Sequence, residues 1–187
     1  TFLLINLNKV FAPAISKLYH EKRFIEMNDL YKKTTFLLNL FTVPLAVIIA
    51  IFSDEILGLY TVEMLAYKKY LFYMLVGGML SLAAGSSGTF MIMAGLEIQN
   101  LKLQLIRGIL LIFLSLWFIP IIGLLSVVIL YVIFMLFING AQLIYIRKYL
   151  QISPFSKELF FLFGLTIIAM YFAINQEFIF QIFHFIT

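Results

Sequence analysis

The sequence predicts an all-α integral membrane protein, a polytopic helical bundle of about five spans plus a partial span, each near the ~20 residues that cross a hydrocarbon core. Three observations carry this fold class. Hydrophobic residues make up 64% of the 187 and charged residues 12%, against roughly half and a quarter in a soluble domain. The apolar residues gather into long runs, and mean hydropathy over the chain is +1.08. Those runs lack the roughly ten-residue alternation of a membrane barrel, and proline is scarce at 4. Helices, which satisfy their own backbone groups, are then the spanning form that lipid permits.

Taken in order, Thr1 to about Ser16 reads as the last part of a membrane helix, with Pro13 kinking it near its end. The chain enters directly on TFLLINLNKVFAPAIS with no basic leader, so it reads as a fragment cut inside a helix. Lys17 to Lys33 mixes charges with Leu18, Phe24, Ile25 and Leu30, the pattern of a solvated loop with an amphipathic surface helix. Thr34 to Phe52 is the first complete span, interrupted by Asn39, Thr42 and Pro44. Ser53 to Lys69 is a charged loop, and Tyr70 to Ala94 returns across the membrane. Gln104 to Ile122 and Gly123 to Ile146 follow, with Pro120 and Gly123 making the turn between them. Arg147 to Glu158 is a loop and Leu159 to Ile174 a further span. Residues 175–187 are apolar and too short to cross alone, which suits a surface helix or the start of another span.

Gly77 to Gly123 reads as a transmembrane hairpin, two apolar limbs folded back on each other across a short polar turn. In the first limb Gly77, Ser81, Gly85 and Gly88 share a helical face, where small residues let a neighbouring backbone come close. In the second, Asn100, Gln104 and Arg107 share a face. Counting Lys and Arg in alternate loops gives five, two and three in one set against two and none in the other. The basic set, which includes the turn before Arg107, is assigned to the cytoplasm. The same topology accounts for the formal charge of +4 without a nucleic-acid partner.

Little here suggests an enzyme. With no Cys there is no thiolate nucleophile or Cys-based metal site, and His20 and His184 lie far apart. Neither a phosphate loop, HExxH nor GxSxG occurs, and the carboxylates sit in loops without a catalytic partner. No cofactor or metal is implied. Polar residues at membrane depth are costly and face a cavity or another helix. Lys9 is the first candidate for a substrate path, with Arg107 next, since a cation lining a cleft suits an anionic substrate; the alternative for each is snorkelling to the interface. Asn6, Asn100 and Gln104 suit hydrogen bonds to a sugar or across helices. Asn139 and Gln142 read as cap or interhelical contacts.

Several stretches, in order, carry a resemblance: FAPAISKLYHEKRFIEMNDLYKKTT, a span with Pro44, SDEILGLY, a Gly-rich span closing in MIMAGLEIQNLKLQL, and FIPIIG. Together they resemble the C-terminal half of bacterial polysaccharide flippases, in the broad superfamily of multidrug and toxin extrusion transporters and lipid II flippases. The resemblance implies one lobe of a two-lobed inner-membrane protein around a central cavity. It implies transport of an undecaprenyl-diphosphate-linked oligosaccharide to the outer leaflet, with membrane lipid and a missing first lobe as partners. Phe11, Pro13, Ile15 and Ser16 match the family's helix-ending motif and Gly95 its turn glycine. Leu124, Leu125 and Ser126 depart from the small residues common after FIPIIG, and an Asn usual before that proline is missing. Two other readings stand beside this one. A multidrug or small-cation exporter generally wants an acid in a span, and no apolar span here has one. The other is a non-transporting membrane fragment.

Overall fold

The computed structural model describes the backbone of residues 2–174 and the side-chain surroundings of residues 8–169. The expectation for residues 175–187 and the side chain of Asn6 lie outside that description. The described chain is almost entirely helical: α1 (Phe2–His20), α2 (Phe24–Ile51), α3 (Ser53–Gly58), a 3-10 turn (Val62–Tyr67), α4 (Lys68–Leu82), α5 (Ser87–Met93), α6 (Glu97–Ile122), α7 (Leu124–Leu150) and α8 (Lys157–Ile174). Four stretches among the described residues are long and apolar enough to cross a membrane: Phe24–Ile51, Val62–Met93, Glu97–Ile122 and Leu124–Leu150. These four coincide with the four expected complete spans between Thr34 and Ile146. α8, where a fifth span is expected, is helical from Lys157 to Ile174.

Residues 17–33 are not a loop with a separate surface helix. α1 runs on to His20, the chain turns through Glu21–Arg23, and α2 starts at Phe24. Lys22 takes a left-handed φ of 57°, and the Arg23 N–H closes the turn on the Leu18 carbonyl at 2.9 Å. Met27 and Tyr31, four apart, are fully buried, so one stripe of α2 stays in the core beneath the charged residues. Arg23 binds Glu26 and Glu21 at 2.5 and 2.6 Å, and these carboxylates hold its guanidinium above its ordinary range.

The hairpin is also rearranged. α4 packs against α7 and α2, α6 packs against α7, and α5 joins the α6 side. The reason lies in the small-residue face. A Cβ on Gly77 would sit 2.6 Å from Val132 Cγ2 of α7, so glycine there lets α4 approach α7. Across the bundle the neighbours run α8, α2, α4, α7, α6, with α1 against α2 and α5.

Two apolar clusters result. One joins Phe11, Ile15, Met27, Tyr31, Phe90, Met91, Leu103, Ile138 and Ile146. The other joins Val43, Ala46, Ala50 and Met79, backed by Leu162 and Phe163 of α8. Along α2 and along α4–α5, the stretch between the clusters includes polar and small residues, Thr35 and Asn39 on one helix and Gly85 to Gly88 on the other.

Candidate functional site

At that polar level the helix that began as α4 is broken. Between Leu82 and Ser87 lie Ala83, Ala84, Gly85 and Ser86, small residues of which only the alanines favour a helix. Gly85 adopts φ +62°, and a Cβ there would collide with Thr35 Oγ1 of α2. A break inside an apolar bundle frees carbonyls that need partners. Here α2 supplies them: Tyr31 Oη donates to the Ala84 carbonyl at 2.6 Å, and Asn39 Nδ2 to the Leu82 carbonyl at 2.8 Å. Tyr31 is held in place by stacking on Phe90, with ring centroids 4.3 Å apart.

The broken ends face a chain of side-chain hydrogen bonds. Asn139 Nδ2 of α7 donates to Ser81 Oγ at 2.6 Å and to the Met135 carbonyl at 2.8 Å. Ser87 Oγ lies 3.0 Å from Asn139 Oδ1 and 2.6 Å from Gln142 Oε1. Gln142 Nε2 donates to Asn100 Oδ1 of α6 at 2.8 Å. Gly88 makes room for this link, since a Cβ there would lie 3.2 Å from Gln142 Nε2. On α1, Asn8 Nδ2 donates to Thr89 Oγ1 at 3.2 Å.

These groups border a cavity of about 430 Å³, lined on one side by Ser81 and the Gly85–Thr89 segment, on another by Asn139 and Gln142, and reached by Asn8, Gln104 and Arg107. Arg107 is the one cation and no carboxylate is present among its described lining residues. Arg107 Nη1 donates to Gln104 Oε1 at 3.3 Å on the exposed side. Amides, hydroxyls and one guanidinium can hold a neutral hydroxyl-rich or anionic ligand through hydrogen bonds.

The chain matches no known family model, curated protein or solved structure.

The structure brings Gln104 and Arg107 to the cavity, and places Asn100 behind its wall as the buried partner of Gln142. Gly77, Ser81, Gly85 and Gly88 each meet another helix: Gly77 faces α7, Ser81 bonds Asn139, Gly85 meets Thr35 of α2 and Gly88 lies by Gln142. Lys9 lies elsewhere. It is exposed on α1 and does not line the cavity. One residue turns a helix by about 100°, and it is Asn8 that faces inward. Asn8, Ser87, Tyr31 and Asn39 were the members that sequence reasoning passed over. The AAGSSG run inside an apolar stretch was the signal for the break; nothing local marks Tyr31 as the cap of a carbonyl 53 residues away.

Proposed function

We propose that this chain is one lobe of a bacterial inner-membrane transporter that carries a lipid-linked oligosaccharide, held on undecaprenyl diphosphate, from the cytoplasmic to the outer leaflet during polysaccharide synthesis. The observation that carries the reading is the cavity itself. It lies among helices apolar enough to cross a membrane, yet its lining offers hydroxyls and amides with Arg107 and Gln104 at its edge. Hydroxyls of a sugar suit the first set, and a diphosphate suits the guanidinium. The broken α4–α5 helix supports the same reading, because irregular backbone at membrane depth is tolerated where it borders a cavity. Placed with a second lobe of the same protein, such a cavity would open to each leaflet in turn. A multidrug or small-cation exporter is less well served, since a carboxylate that would bind the cation is not among the described lining residues.

The test is export of surface polysaccharide in cells whose output depends on the full-length gene. Arg107→Ala should lower export about tenfold at equal protein level, the loss of one charge-assisted contact, and Arg107→Lys should recover part of it. Lys9→Ala should leave export unchanged. Normal export from Arg107→Ala would remove Arg107 from the substrate path and the reading with it.

A further inference from the structure

A second niche lies away from the polar cavity, where α2 and α8 begin. It encloses about 300 Å³ and is lined by Asp29, Lys32, Lys33, Phe36, Ser156 and Glu158. Its charges are of both signs, two cations facing two carboxylates. The ion pairs found among the described residues are Lys17–Glu21, Arg23–Glu21, Arg23–Glu26 and Lys68–Asp54, so the four charged groups of the niche are not paired with one another there. Glu158 stays ionised: its own backbone N–H and the Ser156 hydroxyl hold its carboxyl below the usual carboxylate range.

The position of the niche is as informative as its charge. On α2 the apolar run starts directly after Lys33, and on α8 directly after Glu158. Both helices enter from the same end, fixed together where Asn28 Oδ1 accepts the Ser153 N–H at 3.0 Å and Pro154 is buried. Phe36 therefore forms the niche wall on the apolar side, and beyond it Leu37, Leu40, Phe160 and Phe161 are exposed. The ligand that fits has an anionic and a cationic group side by side, joined to apolar chains.

We infer that this niche binds the headgroup of phosphatidylethanolamine, its phosphate on Lys32 and Lys33, its ammonium on Asp29 and Glu158, and its acyl chains along the exposed faces of α2 and α8. A basic patch alone would favour an anionic lipid; the two carboxylates change the preference. An ammonium that donates hydrogen bonds also fits them better than a trimethylated choline. The inference rests on the membrane reading and is independent of what the polar cavity carries.

Native mass spectrometry of the detergent-purified chain, with phosphatidylethanolamine, phosphatidylglycerol or phosphatidylcholine added in turn, tests it. Phosphatidylethanolamine should be retained most, as a single bound lipid. Lys32→Ala with Lys33→Ala should weaken that retention about fivefold for each lysine removed. Asp29→Asn with Glu158→Gln should erase the preference over phosphatidylglycerol while lipid binding persists. All four residues are at the surface or half-buried, and helical circular dichroism checks that each variant is folded. Equal retention of phosphatidylglycerol by the unaltered chain, or retention untouched in both double variants, would overturn the inference. Arg107→Ala should keep the lipid while losing export, so the two proposals fail separately.

Discussion

The approach of Thr35 to Gly85 explains why glycine stands where the helix breaks. Its φ of +62° is a conformation that costs an L side chain about 1–2 kcal/mol. A methyl group at Gly85 would in addition meet Thr35. Gly85→Ala should therefore lower the unfolding temperature in detergent by more than the backbone term alone. Adding Thr35→Ala should recover the steric part and leave the backbone part, a coupling that a double-mutant cycle reads. Tyr31→Phe keeps the stack on Phe90 but strips the Ala84 carbonyl of its donor, and should cost about 1–3 kcal/mol for a buried group left unpaired. Residue types and faces explain how far the sequence could be read here. Gly77 and Ser81 were legible as a packing face because small residues at helical spacing let a neighbour approach, whereas Gly85 stands in the break and Gly88 on α5, so the four do not share one helix. Lys9 draws attention as a cation, while its uncharged neighbour Asn8 is the residue of α1 at this cavity.

Among the elements, α4–α5 depends on α2 for its shape. The break is a gap in one helix filled by side chains of another, with Tyr31 and Asn39 standing eight residues apart on a single buried stripe. Elements were legible where hydrophobic runs are uninterrupted, as in α6 and α7, which meet at the expected turn at Gly123, with α7 ending just past Arg147 and Lys148. They were less so at residues 17–33, where charges on the exposed face of α1 and α2 concealed continuous helices. The break itself resisted reading because its partners are distant in sequence. Gln142 ties three elements, receiving from Ser87 of α5 and donating to Asn100 of α6. Gln142→Leu should cost about 1 kcal/mol, the scale of hydrogen bonds between membrane helices, read as a lowered thermal midpoint. Asn100→Leu in the same background should add little, because its bond is already gone.

In the whole molecule, the two apolar clusters lie on either side of the polar level and leave much of the outer surface apolar. α6 is the extreme case, with Asn100 and Leu103 its buried residues and Trp117, Leu116 and Phe113 exposed. In water such a surface would aggregate, so the chain should stay monodisperse in detergent and precipitate when detergent is withdrawn, as size-exclusion chromatography would show. Composition alone made this surface legible. Helix neighbours were not, since α2 pairs with α8 across more than a hundred residues and a span pattern contains no information on which spans touch.

The Ser87 hydroxyl carries one hydrogen but faces two carbonyl oxygens, Asn139 Oδ1 at 3.0 Å and Gln142 Oε1 at 2.6 Å, set three residues apart on α7. At any instant one of them goes without. Rotation of the hydroxyl about its Cβ–Oγ bond exchanges one acceptor for the other while α5 stays where the Phe90–Tyr31 stack and the Asn8–Thr89 bond hold it. The free-energy change is then a difference between two bonds, well below the ~1 kcal/mol typical of losing one. Where Thr35 crowds Gly85 the seam is fixed by shape; at Ser87 one hydrogen decides which of two carbonyls in the cavity lining stays free to accept, so the polarity of that wall can change at little cost.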